Sequence, residues 1–203
     1  MRARMALWIA GITVELREVK LSDKPPELAE ASPKATVPVL VRPDETIDES
    51  IAIMRWALAQ SDPEDWLAGD DERLIDRFDG EFKYHLDRYK YPNRYEHEHT
   101  RVDHRASGLA MLRDLDQRLA TQKQLCGDRR TLADIALFPF IRQFANTDRA
   151  WFDGQTIPHL HFWLTRHLKS DLFAAVMPKF AQWSAGDPPV LFGPGTATGG
   201  GAA

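Results

Sequence analysis

Cysteine is almost missing from this chain: Cys126 stands alone among 203 residues. A single thiol excludes an internal disulfide and fits a reducing compartment, so a cytoplasmic protein is expected. Long apolar runs are missing too. No stretch approaches the ~18–20 apolar residues that a membrane-spanning helix needs, and the start lacks the charged, apolar, small-residue order of a signal peptide. Excess positive charge is also lacking. Lys and Arg number 26 against 30 Asp and Glu, a net charge of −4, which argues against nucleic acid or an anionic membrane as partner. What remains is an ordinary globular composition, 43% apolar and 28% charged, long enough for one large domain or two small ones.

The stretch from Ser32 to Trp56 carries the densest information. Ser32-Pro33 is a loop dipeptide, because the residue before a proline is pushed out of the helical region. Val39-Leu40-Val41 predicts a buried strand, with Pro38 at its head where a missing N–H is tolerated. Pro43-Asp44-Glu45 predicts a turn and Thr46-Ile47-Asp48 a short return strand. A helix follows, with Ile51, Met54 and Leu58 on one face. A strand-opening proline can hold a cis bond, which turns the preceding backbone N–H and C=O outward. Glu49 and Ser50 stand at the first turn of the helix, where unpaired N–H groups and the dipole favour a carboxylate ligand. Glu49 can also pair with an ammonium group. Together these suit a zwitterionic peptide end; the plainer reading is a hairpin and an ordinary helix cap.

Elsewhere the pattern is simple. The opening MRARMALWIAG reads as helix ending at Gly11, and Thr13 to Val19 as a strand. Lys20 to Ala31 is a loop with a short helical piece. Gln60 to Asp71 is an acidic linker, with Trp66 and Leu67 expected to pin it to the body. The rest is helical. Ile75, Phe78, Phe82, Leu86 and Tyr89 make one apolar stripe; Val102, Ala106, Leu109, Leu112, Leu115 and Leu119 make another. Thr131 and Asp134 have the spacing of an N-cap and the third helical residue, so each can take an orphan backbone N–H. Pro139 is expected to kink the helix that follows. Pro158 to Leu168 predicts another helix, Leu172 to Met177 a short last one, and the Gly-rich tail from residue 193 a flexible end.

Some residues invite sharper chemistry. Cys126 is either a reactive thiol or a small buried apolar residue. His97, His99 and His104 suggest a metal, but an H-x-H pair points its rings to different sides of a helix and no fixed third ligand accompanies it. A solvated helix end is expected there, and equally for His159, His161 and His167. FKYHLDRYKYPNRY interleaves bases with aromatics, yet the acidic chain argues for core aromatics over nucleic-acid stacking.

Val37-Pro38-Val39-Leu40, then Asp48-Glu49-Ser50 opening a helix, resembles the glutathione site of the cytosolic glutathione transferases. Thr131 to Asp134, after the loop 124–128, resembles the buried capping box of their helical domain, with Arg130 where an apolar residue is usual. The resemblance implies that Val37 pairs by backbone with the cysteinyl part of glutathione and that Glu49 and Ser50 bind its γ-glutamyl end. Lys34 is either a further carboxylate partner or a solvated loop lysine, and Ala35 stands where the family often has Gly.

It also implies a fold: an α/β, thioredoxin-like, glutathione-binding domain over 1–61, a linker over 62–70, an all-helical C-terminal domain over 71–192 and a flexible tail over 193–203. The first strand of the thioredoxin-like unit is missing, together with the Cys-Pro-Tyr motif that the cysteine-using, Omega-like members carry. That strand belongs between Thr13–Val19 and Val37–Val41, so an upstream start beyond Met1 is expected, a shortened non-catalytic form being the alternative. No residue of the chain is expected to be catalytic. The implied function is a glutathione-dependent transferase or thiol transferase, or alternatively a non-catalytic ligand-binding protein. Glutathione and a small-molecule or disulfide second substrate are the implied ligands, with Tyr84, Tyr89 or Tyr91 reaching the second. The implied assembly is a homodimer.

Overall fold

The computed structural model describes residues 1–95 and 100–196. They divide into two compact units, Met1–Glu64 with the segment from Asp171 onward, and Asp65–Ser170.

In the first unit the opening helix formers make α1 (Arg2–Ile9), and Gly11 follows at φ +73°, a left-handed turn that suits glycine. Strand β1 (Val14–Glu15) is far shorter than the predicted Thr13–Val19. The reason lies in its partner. β1 pairs antiparallel with β4 (Leu191–Phe192), Val14 opposite Phe192. Beyond that ladder only scattered contacts continue, such as Leu16 N–H to Val190 O (2.7 Å) and Trp183 N–H to Glu18 O (2.9 Å). A strand extends only as far as another backbone runs beside it. The returning segment is also held by rings: Phe192 lies 5.7 Å from Trp8, and the Arg4 guanidinium sits over Phe180 and Phe192.

Helix α2 (Pro26–Ala31) leads to β2 (Val39–Val41) and β3 (Thr46–Asp48), which form the predicted hairpin. Arg42 N–H to Glu45 O (2.8 Å) closes its turn. Among the described residues the β1–β4 and β2–β3 pairs are separate two-stranded sheets. Helix α3 (Ser50–Gln60) packs on α1 and buries Ile53, Met54, Ala57 and Leu58. The buried face is therefore turned from the predicted one, and Ile51 is only half-buried.

In the second unit Trp66 is fully buried in a 3₁₀ turn, while Leu67, expected beside it, is exposed. Helix α4 (Glu72–Arg77), a π-helical turn (Phe78–Phe82) and α5 (Lys83–Lys90) run on without a break. Their stripe of Ile75, Phe78, Phe82, Leu86 and Tyr89 is buried as predicted. Helix α6 (Arg101–Leu119) departs from expectation: Val102 is 58% exposed and Ala106 is exposed, and the buried face begins at His104 and Gly108. Phe144 sets that face. A Cβ at Gly108 would lie 2.5 Å from Phe144 Cε2, so the ring occupies space that only a glycine leaves open. Phe144 belongs to α7 (Leu132–Thr147), a single helix that runs through Pro139. Helices α8 (Arg149–Asp153) and α9 (Pro158–Leu168) complete the unit, and α10 (Asp171–Val176) belongs to the first.

One core residue contradicts the sequence reading. His167, expected in a solvated position, is buried, with Nε2 3.1 Å from Gln124 Oε1 and its ring 4.5 Å from Trp163. The apolar face of α9 carries it inward. Burial, helped by Arg130 and Arg166, lowers its pKa from 6.5 to about 3. The native ring thus stays neutral while the unfolded one takes a proton below about pH 6.5. Its contribution to stability is complete above that pH and is lost as pH falls, at about 1.4 kcal/mol per unit. Between pH 7 and pH 5 the parent is expected to lose about 2 kcal/mol more than His167→Gln, as measured by urea unfolding.

Candidate functional site

The hairpin and the start of α3 bring the predicted site residues together. The Val37–Pro38 peptide bond is cis, at the head of β2, and Val37 is 44% exposed. Chain order then places Asp48 at the end of β3, Glu49 as the N-cap and Ser50 as the first residue of α3. Glu49 stands at φ +72°, a left-handed corner that turns the chain from strand to helix. The first helical bond runs from Ile53 N–H to Glu49 O (3.1 Å), so the N–H groups ahead of it face the helix mouth outside the helical ladder.

Side chains fix this corner. Ser32, almost fully buried, donates to Asp48 Oδ2 at 3.1 Å. Lys34 lies across two carboxylates, 2.9 Å from Glu49 Oε1 and 3.4 Å from Asp48 Oδ1. The bond to Glu49 and then that to Asp48 raise the Lys34 pKa above its ordinary value. Lys34, its side chain 54% exposed, bridges the acidic pair. Ala35 takes φ +45°, a left-handed position that favours glycine, and its carbonyl accepts from Lys24 Nζ at 2.9 Å.

From α1, Arg2 reaches the same corner. Its Nη1 donates to Ser50 Oγ at 3.4 Å, and the residue is only 7% exposed. The sequence reading took Arg2 as a helix former and gave Ser32 no site role. Partners 48 and 16 residues apart leave no local signal.

The second predicted motif is a buried hub. Asp134 is fully buried, and its Oδ2 accepts from Thr131 N–H (2.9 Å) and Thr131 O–H (2.8 Å). Its Oδ1 accepts from Leu125 N–H and Trp163 Nε1–H, both at 2.8 Å. Burial pushes this carboxyl above the usual carboxylate range, while the four donated bonds pull it back.

Cys126 is half-buried and lines a cavity of about 260 Å³ with Asp65, Ala68, Asp128, Arg129 and Thr131. Burial raises its thiol pKa against the opposing pull of Arg118, which leaves it protonated at neutral pH and a weak nucleophile. His97 and His99 lie outside the described residues. His104 is not solvated: it is 3% exposed, with Nδ1 3.0 Å from Nδ1 of His85. The ring centroids are 5.3 Å apart and the rings tilted by 45°, so one ring's Nδ1–H can donate to the other's Nδ1, the direction following the tautomers. Among the described residues no group of three or more His, Cys, Asp or Glu could hold a metal ion, and no helix is long and apolar enough to cross a membrane.

Comparison with known families assigns the fold. The glutathione S-transferase N-terminal domain family matches residues 1–60, and the glutathione S-transferase C-terminal domain family matches residues 45–186. The chain belongs to the glutathione S-transferase family. A probable glutathione S-transferase, parA of Nicotiana tabacum, is 27% identical over 194 residues, covering 88% of this chain and 84% of the relative. Among solved structures, a glutathione transferase family member from Pseudomonas fluorescens, with two glutathione bound, is similar at a TM-score of 0.73 and 19% identity, over 85% of each chain. A glutathione S-transferase domain-containing protein from Marinobacter aquaeolei is similar at 0.70 and 21%, covering 84% of this chain and 93% of that one. The fold is the family's, a thioredoxin-like N-terminal domain with a small sheet and an all-helical C-terminal domain.

Proposed function

We propose that this glutathione S-transferase-family chain binds glutathione at the corner between β3 and α3. The observation that carries the reading is the juxtaposition of an exposed Val37 before a cis proline with an acidic residue and a serine at a helix mouth. Val37 offers extended backbone to the cysteinyl part. The N–H groups and hydroxyl at Ser50 suit the α-carboxylate of the γ-glutamyl part, and Glu49 suits its ammonium group. Lys34, already bridging Asp48 and Glu49, holds the acidic pair in place until the ligand's ammonium arrives.

The same proposal takes the chemistry as that of a cysteine-using, Omega-like transferase or thiol transferase. Helix α1 starts at Arg2, and a cysteine just ahead of it would have its thiol pKa lowered by the helix dipole. Such a thiolate would attack the glutathione sulfur of a mixed disulfide, the substrate leaving as a thiolate, and a second glutathione would then take the first as oxidised glutathione. A second reading, ligand binding without chemistry, has its own support, since Cys126 is a weak nucleophile in the helical unit. The proposal includes a cytoplasmic homodimer. Calorimetric titration with glutathione is expected to give saturable binding, and sedimentation equilibrium a mass of two chains. Absence of binding by the folded chain overturns the reading.

A further inference from the structure

Arg2 is mostly buried, contributed by α1, and its guanidinium meets Ser50 Oγ across 48 residues of sequence. The 3.4 Å separation is at the long end for a hydrogen bond, so attraction between the charge and the hydroxyl dipole supplies much of the contact. Its chemical consequence is direct. A guanidinium has only donors, whereas a serine hydroxyl has one donor and two acceptor lone pairs. Ser50 can therefore only accept from Arg2, and its O–H proton is left to point elsewhere. Ser50 is the first residue of α3, whose N–H groups ahead of Ile53 stand outside the helical ladder.

Resting on the glutathione reading above, we propose that Arg2 is a positioning residue that fixes Ser50 as a hydrogen-bond donor toward the α-carboxylate of the ligand's γ-glutamyl part. Arg2 acts through Ser50 and does not itself touch the ligand. This effect does not reach a ligand that has no acceptor at that position.

The test is a double-mutant cycle read by calorimetric titration of the full chain, using Arg2→Met, Ser50→Ala and the combination. Each variant is titrated with glutathione and with an analogue in which hydrogen replaces the γ-glutamyl α-carboxylate. Arg2→Met is expected to weaken glutathione roughly three- to tenfold when Ser50 is present, and less than about twofold in the Ser50→Ala background or with the analogue. Equal losses in both backgrounds, or equal losses with both ligands, overturn the proposal and make Arg2 a support of the fold alone. Removing a mostly buried arginine can unfold the chain; Arg2→Lys, which keeps the charge but shortens the reach, then carries the same cycle with the same criteria. A parent that does not bind glutathione at all overturns the site reading together with this one, and that result appears in the first titration, before any variant is compared.

Discussion

Asp134→Ala is expected to cost the protein about 3–5 kcal/mol of stability, the range for breaking a buried, charged, hydrogen-bonded centre. The argument starts from what the carboxylate holds. Four donors end on it, from Thr131 N–H, Thr131 O–H, Leu125 N–H and Trp163 Nε1–H. They come from three places in the chain: the start of α7, the loop before it and the middle of α9. Alanine leaves all of them without an acceptor in a buried site, at about 1–3 kcal/mol for each that finds no other partner. The Thr131 hydroxyl can rotate and a water can enter the vacated space, so the total falls below the simple sum. Asp134→Asn separates charge from shape. It keeps the volume but puts an NH₂ against N–H donors, so it is expected to lie close to alanine. Trp163→Phe removes only one donor and is expected to cost about 1–2 kcal/mol from the lost bond and the smaller ring. Urea unfolding of the three variants at pH 7 checks the order. An Asp134→Ala cost below about 1 kcal/mol would mean that the box only caps a helix and does not join the loop and α9 to it.

How much of this was legible follows from distance along the chain. The hairpin, the Asp48-Glu49-Ser50 corner and the Thr131–Asp134 box each close within a dozen residues, where proline, turn and capping chemistry act locally. The donors that complete the box are different in kind. Nothing near Trp163 tells that its ring N–H ends on Asp134, 29 residues away. Partner identity also explains the misjudged histidines. His167 and His104 occur in polar stretches, yet a buried Gln124 and His85 receive their ring nitrogens. Strand β1 fell short because its neighbour is the far end of the chain, which no alternation pattern can announce. The stripe of α6 slipped for the same reason. Gly108 looks like a weak helix position until Phe144 is seen to fill the space beside it.

Glu49→Gln with Ser50→Ala is expected to weaken glutathione binding by roughly ten- to several-hundred-fold. Charge-assisted hydrogen bonds of the kind proposed here contribute about 1.5–3 kcal/mol each, and two such bonds would lie near the top of that range. Two features of the structure pull the value down. Glu49 is already paired with Lys34, so the ligand's ammonium replaces or shares an existing partner and gains less than it would from an unpaired carboxylate. That pair is also largely exposed, where water screens it and the exchange costs little. Ser50 is better protected: Arg2 holds one side of its hydroxyl, and the orphan N–H groups of α3 remain when the hydroxyl is removed. Ser50→Ala alone is therefore expected to account for about tenfold, and Glu49→Gln for the rest, with some coupling because they are neighbours on one helix mouth. Neither residue lies in the buried core, so thermal midpoints should stay within a few degrees of the parent, which separates a binding defect from an unfolded chain. Calorimetric titration of the folded double variant decides. An affinity equal to the parent's would reduce Asp48-Glu49-Ser50 to a helix start, and the glutathione site would have to be sought elsewhere in the chain.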